Sequence, residues 1–276
     1  MKTPKFCFLG GDSRSYFAHD YIKEKGYDVS LYFFEKSPLA DSEKLPKDLP
    51  EADIYILPVP AFIKGELNAP YSDKKIKEDE LIHLLSPDAK IFGGMISDLL
   101  GTDYLNDSEL IEENASLTAE GTLEIILRET EDAIKGAHFL VIGFGRIGKN
   151  LTKMLSSLGG KVSVATRSNK TFDAIVSLGA TPILLSELKE NLPRFSTIIN
   201  TAPALILDRN HLEKAPDKTL IIDLASRPGG CDLESAKELS KRVIWALSLP
   251  GKTAPKSAGS AIAKSILKSI GGDFFG

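Results

Sequence analysis

The sequence predicts an α/β protein of two domains: a doubly wound parallel sheet in the second half, preceded by a smaller α/β domain. Three observations carry this. From about residue 138, short apolar runs alternate with helix-like stretches across brief turns, the pattern of strands buried on both faces between helices. Gly143-Phe144-Gly145-Arg146-Ile147-Gly148 joins the run HFLVI to the amphipathic stretch NLTKMLSSLGG, a strand, turn and helix context that an isolated glycine fingerprint lacks. The first half repeats the alternation less cleanly and without such a turn.

In order along the chain, residues 1–117 are expected to form the smaller domain. KFCFLGG is a strand running into Asp12-Ser13-Arg14, a capped helix start, and YDVSLYFF, DIYILPVP and AKIFGGM are further buried strands. The stretches EKSPLADSEKLPKDLPEA and NAPYSDKKIKEDE between them read as polar loops, with Lys74 to Glu80 a solvated helix start. Gly10-Gly11 is half a phosphate fingerprint and suits a tight turn with no ligand. Ser116 to roughly Lys135 reads as one helix, started at Thr118 and Gly121 and carrying Leu123, Ile126, Leu127 and Ile134 on its apolar side. Its residues 118–137 are expected to bridge the domains. Residues 138–250 hold six strands, HFLVI, KVSVAT, TPILL, STIINT, TLIIDLA and RVIWAL, separated by stretches such as NKTFDAIVSLG and DLESAKELS. Six such strands complete a Rossmann domain. In residues 251–276, Ile262, Ile266, Leu267 and Ile270 follow helical spacing. A last helix returning to the first domain leaves an interdomain cleft at the carboxyl ends of the strands, where open α/β sheets bind ligands.

Composition narrows the partners. The 276 residues suit two domains, and the 42% hydrophobic content is that of a globular protein. A net charge of −4 offers no footprint for nucleic acid. No apolar run is long enough for a bilayer, and the start MKTPKFCFLGGD reads as a strand and not a signal peptide, so a cytoplasmic location is expected with no membrane partner. The two cysteines, Cys7 and Cys231, lack metal-ligand spacing, which excludes a structural zinc site and suits reduced thiols.

The glycine turn sets the chemistry. Its first glycine permits the bend, the second admits a pyrophosphate to the backbone, and the third lets helix and strand pack. Gly143, Gly145 and Gly148, with Arg146 and Ile147, are therefore candidate dinucleotide ligands at a helix N-terminus. A chain that reads NAD carries Asp or Glu at the end of the next strand, whereas here that strand ends Thr166-Arg167-Ser168. A guanidinium and two hydroxyls suit a 2′-phosphate, which predicts NADP over NAD. Thr201, Ala202 and Pro203 after the fourth strand and Ala225 after the fifth complete the expected cofactor set. Asp223-Leu224-Ala225-Ser226-Arg227-Pro228-Gly229-Gly230 and Leu249-Pro250-Gly251-Lys252-Thr253-Ala254-Pro255-Lys256-Ser257 read as late carboxyl-end loops. They bring the cations Arg227 and Lys256 to an anionic substrate, and Ser257 is expected to cap the final helix.

DLASRPGGCD and LPGKTAPKSAG, together with VIGFGRIG, ATRS, GGDSR, YILPVP and EGTLEIIL, resemble the dipicolinate synthase A-subunit family of spore-forming bacteria over nearly the whole chain. The resemblance implies oxidation of a dihydrodipicolinate-type small molecule to pyridine-2,6-dicarboxylate with hydride transfer to NADP, in the mother-cell cytoplasm during sporulation. It also implies a protein partner, the flavoprotein-like B subunit of that synthase, while self-association stays open. One departure is Cys231, where the family often has a hydroxyl residue. A substrate with two carboxylates needs cations or helix N-termini, and Ser13, Arg14, Arg227, Lys256 and Ser257 are the candidates. Asp12 or Asp223 is the candidate proton acceptor, Asp223 having a turn-capping role as its alternative. His19, His83, His138 and His211 all lie outside the late loops. This tells against two-domain dehydrogenases that use a catalytic His on amino or hydroxy acids. A dehydrogenase of another small carboxylate and a noncatalytic NADP-binding regulatory subunit remain as alternatives.

Overall fold

The computed structural model describes residues 3–274. The chain divides into two compact units, residues 1–114 with 254–276 and residues 115–253.

In the first unit, β1 (Lys5–Leu9), β2 (Asp28–Tyr32), β3 (Ile54–Ile56), β4 (Phe62–Ile63), β5 (Glu66–Leu67), β6 (Lys90–Gly93) and β7 (Thr102–Asp103) are accompanied by α1 (Ser13–Glu24) and α2 (Glu78–Leu84). Five of the strands form one sheet in the order β2-β1-β3-β6-β7, all parallel, and β4 with β5 is a small antiparallel hairpin. Successive side chains of β1 enter opposite layers: Phe6 and Phe8 pack with Ala18 and Ile22 of α1, while Cys7 and Leu9 pack with Tyr55, Leu57 and Leu81. This two-sided burial explains why the strand reads as a continuous apolar run. α1 starts because the Asp12 side chain accepts from the Arg14 N–H. The strand order turns back between β1 and β3, so their carboxyl-end loops flank the sheet's crevice.

α3 (Ser108–Glu129) runs through the boundary at residue 114. It begins eight residues before the expected Ser116 because Asp107 Oδ1 accepts from the Glu109 N–H at 2.8 Å and the Leu110 N–H at 3.4 Å. Thr118 and Gly121 are thus interior to the helix and not its start. A Cβ at Gly121 would lie 3.0 Å from that of Leu249, so the small residue there serves helix packing. The helix stops at Glu129, short of Lys135.

The second unit holds β8 (His138–Ile142), α4 (Arg146–Ser157), β9 (Lys161–Thr166), α5 (Phe172–Ser177), β10 (Thr181–Leu184), α6 (Leu188–Asn191), β11 (Thr197–Asn200), α7 (Arg209–Leu212), β12 (Leu220–Asp223), α8 (Leu233–Glu238), β13 (Arg242–Trp245) and α9 (Leu249–Thr253). All six expected strands form, in the order β10-β9-β8-β11-β12-β13 and all parallel. This is the doubly wound dinucleotide order, with its switch point between β8 and β11. Phe139 and Val141 face one core layer, and Leu140 and Ile142 the other.

The segment beginning at Leu249, expected as a loop, is instead the short α9, and α10 (Pro255–Phe274) follows one residue later. Pro255 takes the first helical position, where its missing N–H and fixed φ do no harm. Ile262, Ala263, Ile266 and Ile270 of α10 join the layer that holds Ala18 and Ile22 of α1. The last two residues of the expected 251–276 segment lie outside the described residues.

Candidate functional site

The glycine turn has the backbone its sequence demands. Gly143 has φ of 96°, a left-handed conformation that a side chain would strain. A Cβ on Gly148 would stand 2.2 Å from the Gly143 carbonyl oxygen, so only glycine lets α4 approach β8 this closely. A Cβ on Gly145 would meet nothing within 4 Å, and this N-cap residue of α4 therefore opens onto free space where a phosphate can reach the first-turn N–H groups. Arg146 and Ile147 form that first turn. Arg146 is exposed, and Ile147 packs partly against the core.

Beside the turn lies a cavity of about 280 Å³ lined by Gly143, Phe144, Ala165, Thr166, Arg167, Ser168, Thr171, Leu185, Ala202 and Ile206. Its walls are apolar where a base would lie and polar at the end of β9, and no carboxylate lines it. Such a donor set fits a phosphate-bearing dinucleotide. Arg167 and Ser168 are exposed there. Thr166 is buried and its hydroxyl donates to the Ser168 carbonyl at 3.0 Å, so it shapes the β9 terminus. Thr201 likewise donates to the Ile142 carbonyl at 2.9 Å and tethers the loop after β11 to the end of β8. Pro203 stands exposed in that loop, while Ala225 is buried with its carbonyl accepting from Trp245 Nε1 at 2.8 Å. Phe144, Ala165, Thr171, Leu185 and Ile206 were not among the candidates, since nothing in the chain marks which side of a turn faces a cavity.

Asp223 is 1% exposed at the end of β12 and takes four donors. Oδ1 accepts from Asn200 Nδ2 at 2.8 Å and the Ala225 N–H at 3.1 Å; Oδ2 accepts from the N–H groups of Gly230 at 2.7 Å and Cys231 at 3.2 Å. These bonds anchor the turn that follows β12. They fold residues 225–231 back over the strand ends. On this loop Arg227 is exposed, with its guanidinium 5.5 Å from the Trp245 ring centroid. Burial, with Asp223 and Asp232 adding to it, pushes the Cys231 thiol up to about 12, which removes its thiolate at neutral pH.

In the first unit, Arg14 is already engaged. Its Nε and Nη2 grip the Asp12 carboxylate at 2.8–3.1 Å, and Nη2 also donates to the Val59 carbonyl at 2.8 Å, strapping α1 to the loop after β3. Arg14 and Asp12, the candidate substrate ligand and proton acceptor, are thereby paired with each other. Ser13 Oγ lies 2.9 Å from the Tyr71 hydroxyl. Lys256 and Ser257 are exposed in the first turn of α10 and line a groove of about 500 Å³ shared with Asp107, Glu109 and Glu113. Ser257 is the third helical residue and so does not cap the helix, because Pro255 brings the start forward.

The histidines have local partners or surface positions. His19 is buried with Nδ1 3.0 Å from Asp20, and burial lowers its pKa. His211 bonds Asp208, the N-cap of α7, at 2.7 Å.

The two units, one with a flavodoxin-type strand order and one with the dinucleotide order and its glycine turn, define the class: two-domain proteins with the Rossmann dehydrogenase fold. Within that class the chain resembles the A subunit of dipicolinate synthase over nearly all of its length. Residues 5–110 match the family described as the N-terminal domain of the dipicolinate synthase A subunit, and residues 125–238 match shikimate / quinate 5-dehydrogenase. The dipicolinate synthase A subunit of Bacillus subtilis (strain 168) is 29% identical over 286 residues, covering 96% of this chain and 95% of its own. The crystal structure of the A subunit from Bacillus halodurans superposes with a TM-score of 0.84 at 26% identity, over 96% of this chain and 97% of that one. A transhydrogenase from Sinorhizobium meliloti shares the fold alone, with a TM-score of 0.71 at 16% identity over 96% and 92% of the two chains.

Proposed function

We propose that this chain is an NADP-dependent oxidoreductase that converts a dihydrodipicolinate-type intermediate to pyridine-2,6-dicarboxylate. It works beside a flavoprotein-like B subunit in the mother-cell cytoplasm of a sporulating cell. The observation that carries the reading is the similarity to the A subunit of dipicolinate synthase, 29% identical over 96% of the chain. The nucleotide cavity, with Arg167 and Ser168 at the place where an NAD-reading chain carries an acid, supports NADP.

The substrate gives up one hydride and one proton as its ring becomes aromatic. The bound nicotinamide would supply the hydride acceptor. The chain's own residues hold the reactants, and positioning of this kind supplies much of the rate when the product is already strongly favoured. Arg227, exposed and seated on Trp245, is the cation for a substrate carboxylate. Asp223 fixes the loop that presents Arg227. With Asp223 occupied by four donors and Asp12 by Arg14, the proton passes to solvent.

The test is a coupled assay: freshly made dihydrodipicolinate synthase product, this chain and NADP, with and without the flavoprotein-like partner, following NADPH absorbance and dipicolinate together. Stoichiometric appearance of both without the partner makes this chain the dehydrogenase, and products only with the partner make the site shared. Cofactor binding with no turnover in either arm would favour a regulatory NADP-binding subunit.

A further inference from the structure

Asn200 and Asp223 end neighbouring strands, and the register pairs them directly across β11 and β12. Both are buried, at 0% and 1% exposure, and Asn200 Nδ2 donates to Asp223 Oδ1 at 2.8 Å. Each also holds the loop that follows its own strand. The Asn200 amide brackets Ala202, donating to its carbonyl at 3.1 Å and accepting from its N–H at 3.2 Å. Asp223 gathers the N–H groups of Ala225, Gly230 and Cys231. The loops are then joined above the pair, where the Gly230 carbonyl accepts from both Ile206 and Leu207 and the Asp232 N–H donates to the Leu207 carbonyl. Ala202 and Ile206 are one wall of the nucleotide cavity.

We propose that Asn200 and Asp223 act as one positioning unit, a buried amide–carboxylate clasp that sets the cofactor wall at Ala202 and Ile206 and the Arg227 loop together. The role needs no contact between either residue and a reactant. The chemistry at each atom explains the pairing. The carboxylate accepts four inward donors, and an amide at the neighbouring strand end supplies the donor facing the carboxylate and the acceptor facing Ala202. Exchanging the Asp223 carboxylate for an amide turns an NH₂ toward N–H donors in either orientation. The inference deepens the proposed cofactor site and rests on it only where cofactor binding is read.

The experiment uses the whole chain with Asn200→Ala, Asp223→Asn or both. Leu192→Ala, a fully buried core change in the same unit outside the clasp, controls for general destabilisation. Amide exchange is read first, without cofactor. Asn200→Ala is expected to speed exchange at Cys231, whose N–H bonds Asp223 and not Asn200, and Asp223→Asn to speed it at Ala202, whose N–H bonds Asn200. Each single variant is expected to raise the NADPH dissociation constant about tenfold, the scale of a lost charge-assisted bond, and the double variant no further. Leu192→Ala is expected to lower Tm without either change. Protection retained at Cys231 in Asn200→Ala, or losses that simply add in the double variant, would overturn the proposal. If Asp223→Asn fails to fold, Asn200→Ala alone carries the test. Loss of the acid limb of the pH–rate profile in Asp223→Asn would make Asp223 a proton acceptor and also refute the clasp. Should the unaltered chain bind no NADPH, the cofactor reading fails while the exchange result still decides the clasp.

Discussion

Replacing Arg167 with Ala separates the cofactor reading from the fold most cleanly. Arg167 is exposed at the polar end of a cavity whose lining holds no carboxylate, and among the described residues it has no hydrogen-bond or ion-pair partner of its own. Removing it therefore leaves no unpaired group behind, and the folded protein should lose little stability. A guanidinium on a 2′-phosphate contributes about 1.5–3 kcal/mol as a charge-assisted bond. At about 1.4 kcal/mol per tenfold, that is roughly a 10- to 100-fold rise in the NADP dissociation constant. The exposed position favours the lower half of this range and makes the effect shrink as salt is raised. NAD lacks the phosphate, so its affinity should change by less than about threefold. Calorimetric titration of both nucleotides at two ionic strengths measures all of this. Trp245, the single tryptophan, lies in the same unit and offers a fluorescence signal. Equal losses for NADP and NAD, or no loss for either, would show that Arg167 never meets the phosphate.

Gly148→Ala is expected to lower Tm and abolish dinucleotide binding together, because the added methyl would stand 2.2 Å from a backbone oxygen that cannot swing aside; thermal unfolding and titration check it. Asp107→Ala should destabilise by about 1 kcal/mol, as expected when the start of α3 loses its cap, and chemical unfolding of the whole chain reads that value. Cys7 and Cys231, pushed up by burial to about 11 and about 12, should resist alkylation at pH 8 until the protein unfolds, as intact-mass spectrometry would show. Because their folded pKa values exceed the unfolded value of 9.0, the unfolded chain loses these protons first, and stability should fall as pH rises through and above 9. A pH series of unfolding midpoints that stays flat for the native chain but not for a Cys7→Ala, Cys231→Ala variant would contradict this.

The strands and the glycine turn were legible in the sequence because the forces that set them are local. A strand buried on both faces must be apolar throughout, as HFLVI and KVSVAT are, and a bend that lets a helix approach a strand must be glycine at Gly143 and Gly148. The last helix was legible too, since Ile262, Ile266 and Ile270 repeat at helical spacing. Other features depended on partners distant in the chain. The sequence offers Arg14 as a candidate cation, and only the fold shows its Nη2 bonded to the carbonyl of Val59 in another loop. Ser257 looked like a cap, but Pro255 brought the helix start forward. Asp223 is an acid at the end of a strand in either reading. Only the parallel pairing of β11 with β12 brings Asn200 beside it, and only the fold-back of residues 225–231 brings Gly230 and Cys231 onto its second oxygen. Periodicity and turn chemistry act between near neighbours and so are written in the order of residues. Which lone pair of a buried carboxylate is filled is decided by strand register and loop closure, and these exist only once the chain has folded.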